Sequence, residues 1–170
     1  MAILEIVKYP DKILKTKTKP VKAITAEIKK LIKDMIETMK KNNGIGLAAN
    51  QVGVPLRILV ISYKDENKKD NDIVLINPVI QQKSGKIYEE EGCLSFPGLY
   101  LKIKRANYIK VKAVNDRGKQ ITIEGEGLIS RVLQHEIDHL DGKTFLDRLS
   151  LLKKLKTIRE IKRRIKKGNW

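Results

Sequence analysis

The chain has 170 residues but only two histidines and one cysteine. A lone cysteine, Cys93, excludes a disulfide framework and suits a reducing compartment. No apolar run approaches the roughly 18 residues that a membrane-spanning helix needs. The first eight residues carry Glu5 inside their short apolar run and do not read as a signal peptide. No internal repeat and no long low-complexity segment interrupts the chain. These absences predict a soluble, cytoplasmic protein, most simply one domain over 1–170. A chain of this length buries about 70% of its unfolded surface, enough for a real core. Acidic residues are scarce in one place. Residues 149–170 carry nine basic side chains against one acid, Glu160, and so supply half of the net charge of +16. A basic helix serves an anionic partner such as RNA or a membrane surface; the alternative is a lysine-rich bias that fills solvent faces.

Both histidines fall in one run, His135-Glu136-Ile137-Asp138-His139. On a helix, residues four apart share a face, so both imidazoles can reach one metal ion. Glu136 sits at the edge of that face, where it can touch a water on that ion. The flanks support the helix. Leu128, Ile129, Val132, Leu133, Ile137 and Leu140 recur at helical spacing, and Gly142 is a natural stop.

Three protein ligands with an open position make a catalytic site, whereas four make a closed structural one. A third donor is therefore needed, and no further histidine exists. Cys93 lies in the small-residue stretch Glu91-Gly92-Cys93-Leu94-Ser95. The competing donors are downstream carboxylates, Asp141, Asp147 and Glu160. Glu160 is flanked by Arg159, Lys162, Arg163 and Arg164, so a solvated ion pair accounts for it more simply. The other reading of Cys93 is an inert buried thiol. Beside an HExxH helix, a thiolate ligand is favoured over that reading.

Elsewhere the periodicity places secondary structure. Thr25 is an N-cap, and Ile28, Leu31, Ile32, Met35, Ile36 and Met39 form the apolar face of a helix over 26–41, ended by Asn42-Asn43-Gly44. Residues 57–63 and 73–76 are β-branched runs joined by a wholly polar segment, 64–72, and predict a hairpin with a mobile tip. Residues 79–82 and 86–90 are shorter strands around Ser84-Gly85. Residues 108–115 and 120–124 flank Asp116-Arg117-Gly118, a second hairpin. A last helix near 149–166 carries Leu151, Leu152, Leu155, Ile158, Ile161 and Ile165 as an apolar side that docks on the body. The sum is an α+β fold: antiparallel strands packed around a central metal-binding HExxH helix, with an N-terminal and a C-terminal helix.

A third cluster, Gly44-Ile45-Gly46-Leu47-Ala48-Ala49-Asn50-Gln51, follows a helix and opens no βαβ unit, which argues against a dinucleotide fingerprint. It reads either as a tight packing turn or as backbone for a peptide-like ligand to lie against, with the Gln51 amide offering hydrogen bonds.

Together the three stretches resemble the peptide deformylase family. Residues 44–51 are similar to its GxGLAAxQ motif, Glu91-Gly92-Cys93-Leu94-Ser95 to its EGCLS motif, and residues 134–142 to its QHExDHLxG motif. Tyr9-Pro10-Asp11 is also family-like, and the helical C-terminus resembles the class that ends in a helix. The resemblance covers nearly the whole chain. It implies metal ligands at Cys93, His135 and His139, Glu136 as general acid/base, and oxyanion donors at the Gln51 side chain and the Leu94 backbone N–H. It implies one divalent ion, commonly Fe(II), with zinc or nickel as substitutes. It also implies the reaction: removal of the formyl group from the formylmethionine that begins new polypeptides, releasing formate. Ile45, Leu128 and Val132 are candidates for the apolar methionine pocket, with ordinary core packing as the alternative for each. Gly46, Glu91, Gly92 and Arg131 complete the expected substrate-binding set. Two positions depart from the family pattern. Asn43 stands where many relatives carry an acid, and Arg131 stands at the pocket rim where some have an aliphatic residue. The basic helix suggests contact with the RNA-rich ribosome surface from which the substrate emerges. An HExxH peptidase and a non-catalytic ribosome- or RNA-binding protein are the rival readings; formate release from a formyl-Met peptide separates all three.

Overall fold

A computed structural model describes residues 2–170; Met1 lies outside them. Helix α1 spans Ala26–Lys41. The Thr25 hydroxyl accepts the Ile28 N–H at 3.2 Å, and Lys40 and Lys41 sit at the negative end of the helix dipole. Asn43, at φ 56°, turns the chain away, a conformation asparagine tolerates. Strands β1 (Gly46–Ala48), β2 (Ile58–Lys64) and β3 (Asp70–Ser84) follow. Next come β4 (Ile87–Cys93), β5 (Phe96–Arg105), β6 (Tyr108–Val114) and β7 (Gln120–Glu126). Helix α2 (Leu128–Leu140) and helix α3 (Leu151–Lys166) close the chain.

The strands form two antiparallel sheets, a five-stranded one in the order β1-β2-β3-β6-β7 and a two-stranded one, β4-β5. Strand alternation decides which helix covers which face of the larger sheet. Ile58 and Val60 of β2 point to one side, where Ile32, Met35 and Met39 of α1 cover them. Leu59 and Ile61 point to the other, where Leu133, Ile137 and Leu140 of α2 pack with Leu75, Ile109 and Val111. A third cluster joins Phe96, Leu99 and Ile103 of β5 to Phe145, Leu146 and Ile161. No helix among the described residues is long and apolar enough to cross a membrane.

Four expectations change. Residues 79–82 are not a separate strand but continue β3, which runs through a bulge between Ile76 and Val79. Pro78 cannot donate to the ladder there, and Asn77 takes φ 52°. The Asn77 side chain instead bonds both the N–H and the carbonyl of Val21, each at 2.9 Å. Second, residues 87–90 belong to β4 in the other sheet, and its partner β5 has no counterpart among the expected strands. Third, the first hairpin zips from Ile58↔Ile76 to Lys64↔Asp70, further than expected, and the Asp65 carboxylate accepts the Asn67 and Lys69 N–H groups across its tip. Fourth, the apolar side of α3 is mostly not docked. Ile161 is fully buried and Ile158 half-buried, whereas Leu151, Leu152, Leu155 and Ile165 are exposed. Leu152 precedes Ile161 by about two and a half turns and so faces the opposite way.

The last correction is testable. Ile161→Ala removes a side chain with no exposed area and should cost about 2–5 kcal/mol in urea unfolding. Leu152 is 82% exposed, and Leu152→Ala should stay within about 0.5 kcal/mol of the parent. Equal losses at the two positions would mean that α3 docks through its leucines after all.

Candidate metal centre and its surroundings

Two separated segments meet at one point. The end of β4 brings Cys93, and α2 brings His135 and His139 one helical turn apart. The Cys93 Sγ lies 3.3 Å from His139 Nε2, and the two Nε2 atoms lie 3.2 Å apart. All three donor atoms fall within 4.8 Å of one another. Metal bonds of about 2.0–2.3 Å at tetrahedral angles separate their donors by roughly 3.4–3.6 Å, so this triangle fits one ion of that size. The rival carboxylates are occupied elsewhere. Asp141 pairs with Arg57 at 2.9 Å, and Asp147 accepts the Thr144 N–H and Lys154. Glu160 pairs with Arg163 and Arg164.

The surroundings fix the donors. His135 Nδ1 donates to Glu91 Oε1 at 2.9 Å, which turns Nε2 toward the centre. Arg105 holds the same carboxylate through Nε and Nη2, at 2.7 and 2.9 Å. Its Nη1 reaches Asp138 at 2.8 Å, and Arg148 grips Asp138 from the far side. Burial alone would raise Glu91 and Asp138, but His135 and Arg105 hold Glu91 below the usual carboxylate range, and Arg148 and Arg105 do the same for Asp138. Asn50 donates to the His139 carbonyl at 2.5 Å, tying the residue before Gln51 to the end of α2.

Glu136 differs from these satisfied acids. It is buried, and its Oε2 has no hydrogen-bond partner among the described residues. Burial pushes it up to about 7, with His135 and Arg105 pulling down and Glu91 and Asp138 pushing up. Gly46 of β1 lies directly on it: a Cβ there would sit 2.8 Å from Glu136 Oε1 and 3.0 Å from Val132 Cγ1. His135 is pushed up to about 10. Burial opposes its charge, and the Cys93 sulfur and the Glu91 carboxylate outweigh burial. His139 moves well below its usual value through burial and the charge of His135.

Gln51 and Leu94 both border this centre. The Gln51 amide nitrogen lies 3.6 Å from Cys93 Sγ, and Leu94 opens the turn immediately after Cys93. Ile45 and Leu128 are 46% and 57% exposed, and Val132 is half-buried and lies with Glu136 against Gly46. Gly92 is exposed on β4, where a Cβ would meet the Tyr100 ring at 2.8 Å. Arg131 is half-buried and donates to the Glu90 carbonyl. Glu91 departs from its expected place. It is buried behind His135 with both oxygens engaged, so it orients a histidine rather than facing a ligand. Arg105 has no bond to Asn43. Asn50, Asp138 and Ser95 carry no local signal of their roles, because their partners lie 33 to 89 residues away in the chain, and Arg148 matters only through Asp138.

A buried HExxH helix with a cysteine from a neighbouring sheet defines a metal-hydrolase type of centre. The family model for polypeptide deformylases matches residues 3–155. A peptide deformylase from Thermodesulfovibrio yellowstonii is 51% identical over 154 residues, covering 91% of this chain and 93% of that one. The crystal structure of a peptide deformylase from Legionella pneumophila superposes with a TM-score of 0.88 at 43% identity, covering 98% of each chain. A class I type b peptide deformylase from Acinetobacter baumannii, solved with Met-Ala-Ser bound, superposes at 0.81 with 32% identity, covering 87% of this chain and 99% of that one. The chain belongs to the peptide deformylase family, whose members are metal-dependent.

The Cys93 sulfur and the Glu91 carboxylate favour a proton on His135 against burial, so a metal ion held through His135 Nε2 would compete with that proton. Calorimetry of metal binding in buffers of different ionisation enthalpy should therefore show net proton release at pH 7. Affinity should fall by about tenfold per pH unit for each proton displaced as the pH is lowered. Binding with no buffer dependence would remove His135 Nε2 from the ligand set.

Proposed function

We propose that this chain hydrolyses the formyl amide of polypeptides that begin with formylmethionine, releasing formate and a free amino terminus. Residues 1–170 act as one catalytic unit in the cytoplasm. The observation that carries the reading is the buried, unpartnered Glu136 carboxylate beside the Cys93-His135-His139 triangle. We assign one divalent ion to those three donors, with Fe(II) as the native ion and zinc or nickel as substitutes. A thiolate with two imidazoles suits borderline metals of this kind. The chemistry such an ion supplies is acidification of a water toward neutrality and polarisation of the formyl carbonyl.

The chain's own residues do the rest. Glu136 takes the proton of the attacking water and delivers it to the leaving nitrogen. A carboxylate shifted up to about 7 is suited to both steps near neutral pH. The Gln51 side-chain amide and the Leu94 N–H donate to the oxygen that gains charge, each worth about 3 kcal/mol in the transition state. Glu91 keeps His135 in the tautomer whose Nε2 faces the centre. Ile45, Leu128 and Val132 offer apolar surface for the methionine side chain, with Arg131 at the rim. Gly46 and Gly92 offer backbone for the peptide. The Met-Ala-Ser bound to the Acinetobacter relative has the form of a deformylated product, which supports this substrate class.

Glu136→Gln should lower formate release from a formyl-Met peptide by at least about 100-fold with metal content unchanged, since Glu136 moves protons and is not a ligand. Near-parental turnover in that variant would overturn the assignment. An HExxH peptidase would instead cleave the peptide chain and release no formate.

The exposed basic side of α3 suggests where the substrate is met. Arg159, Arg163 and Lys166 share that side, and all three are exposed. We assign them to the ribosome surface. Reversing the three to Glu should leave activity on short formyl-Met peptides intact and lower ribosome co-sedimentation at low salt. Unchanged co-sedimentation would reduce the basic helix to compositional bias.

A further inference from the structure

Gln51 carries one of the proposed oxyanion donors, yet a primary amide can rotate and can present either its oxygen or its nitrogen. Two contacts decide which. The Ala48 backbone N–H donates to Gln51 Oε1 at 2.9 Å. Only the amide oxygen can accept that hydrogen, so Nε2 must face the other way. On that side Nε2 has two neighbours, the Ser95 hydroxyl at 3.2 Å and the Cys93 sulfur at 3.6 Å. Ser95 has no exposed area, and Gln51 is buried, so water does not compete for these contacts. The Ser95 carbonyl is itself fixed by the Tyr9 N–H at 3.0 Å.

We propose that Ser95 is a positioning residue for catalysis: its hydroxyl holds one Nε2 hydrogen of Gln51 and leaves the other directed at the oxygen that gains charge beside Cys93. This rests on the reading of Gln51 as an oxyanion donor. The arrangement divides the amide's work. Its oxygen and one hydrogen hold the plane in place, while the second hydrogen moves between the sulfur and the reacting oxygen. Donors that are already oriented need no reorganisation during the reaction, and that orientation is what Ser95 supplies. The same residue type placed two positions after a metal-binding cysteine couples the hairpin turn to the 3-10 turn at Ala49–Val52 without entering the donor triangle.

Steady-state kinetics of the metal-loaded enzyme on a formyl-Met tripeptide, with metal content recorded, test this. Ser95→Ala should lower kcat about tenfold or more while KM stays within about twofold. Ser95→Thr keeps the hydroxyl and should restore most of kcat. In a Gln51→Ala background the same Ser95→Ala change should cost less than about twofold, because its route to the reaction is gone. A second readout does not depend on activity. In the metal-free protein, NMR should show the Nε2 protons of Gln51 protected from exchange with solvent, and Ser95→Ala should speed that exchange. If Ser95→Ala lowers kcat equally with and without Gln51, Ser95 acts by another route and the proposal falls. If Ser95→Ala leaves kcat unchanged while Gln51→Ala impairs it, the proposal also falls and the reading of Gln51 survives. If Gln51→Ala itself has no effect on kcat, both fall together.

Discussion

The arrangement of the centre depends on one buried cation. Arg105 comes from the end of β5 and has almost no solvent contact, yet it binds Glu91 of β4 and Asp138 of α2 at once. Those acids stand two residues before Cys93 and one before His139. Through Glu91 the guanidinium also reaches His135. A single side chain therefore ties together the strand and the helix that supply the donor triangle, beside the direct Glu91–His135 bond. Removing one partner of such a buried pair costs about 3–5 kcal/mol, because the remaining charges stay buried without compensation. Both acids sit below their ordinary values, so their contribution is complete above the unfolded carboxylate range near ~4 and fades as pH falls through the folded values. Acid thus weakens the scaffold of the centre as well as protonating the donors themselves.

Within that scaffold, satisfied and unsatisfied groups are sharply divided. Glu91, Asp138 and Gln134 each engage defined partners. Glu136 Oε2 does not, and neither does His139 Nδ1. A buried acid without a partner is destabilising, and here it lies where β1 presses Gly46 against it. Any side chain at position 46 would occupy the space between strand and acid. Glycine there therefore preserves both the close approach of backbone to the centre and the desolvation that raises Glu136. The unpartnered Glu136 carboxylate is thus set among buried ion pairs that hold the surrounding strand and helix.

Local chemistry was legible in the sequence wherever spacing alone decides geometry. Two histidines four apart share a helix face whatever surrounds them, and Thr25, Gly142 and the Asp116-Arg117-Gly118 turn act through their nearest neighbours. Strand β5 was missed because Pro97-Gly98 near its start reads as a turn, although Leu99, Leu101, Ile103 and Arg105 alternate inward. Glu91 was misplaced for a different reason. Its partners lie 14 and 44 residues away in sequence, and nothing local distinguishes an acid that orients a histidine from one that faces a ligand. The same limit hid Ser95 and Asp138.

Helix α3 shows how an apolar pattern can mislead. Its six apolar residues span about half of the helix circumference, with Ile161 at one edge and Leu152 at the other. The fold uses Ile161 with Ile158, against Phe96 and Phe145, and leaves the leucines of the first turns in solvent. The docked side meets the aromatic cluster behind the centre: Phe145 lies 5.7 Å from His135, and Phe96 lies 4.8 Å from Phe145. Trp170 packs edge-on to Phe96 at 6.0 Å and donates from Nε1 to the Tyr9 carbonyl at 2.7 Å. The chain after α3 thus returns to the aromatic residues that support His135, so α3 is held against the catalytic body at both its middle and its end. Its outward side, leucine-rich at the start and basic afterwards, is free of any packing duty, and a surface of that kind can change its partner without disturbing the centre.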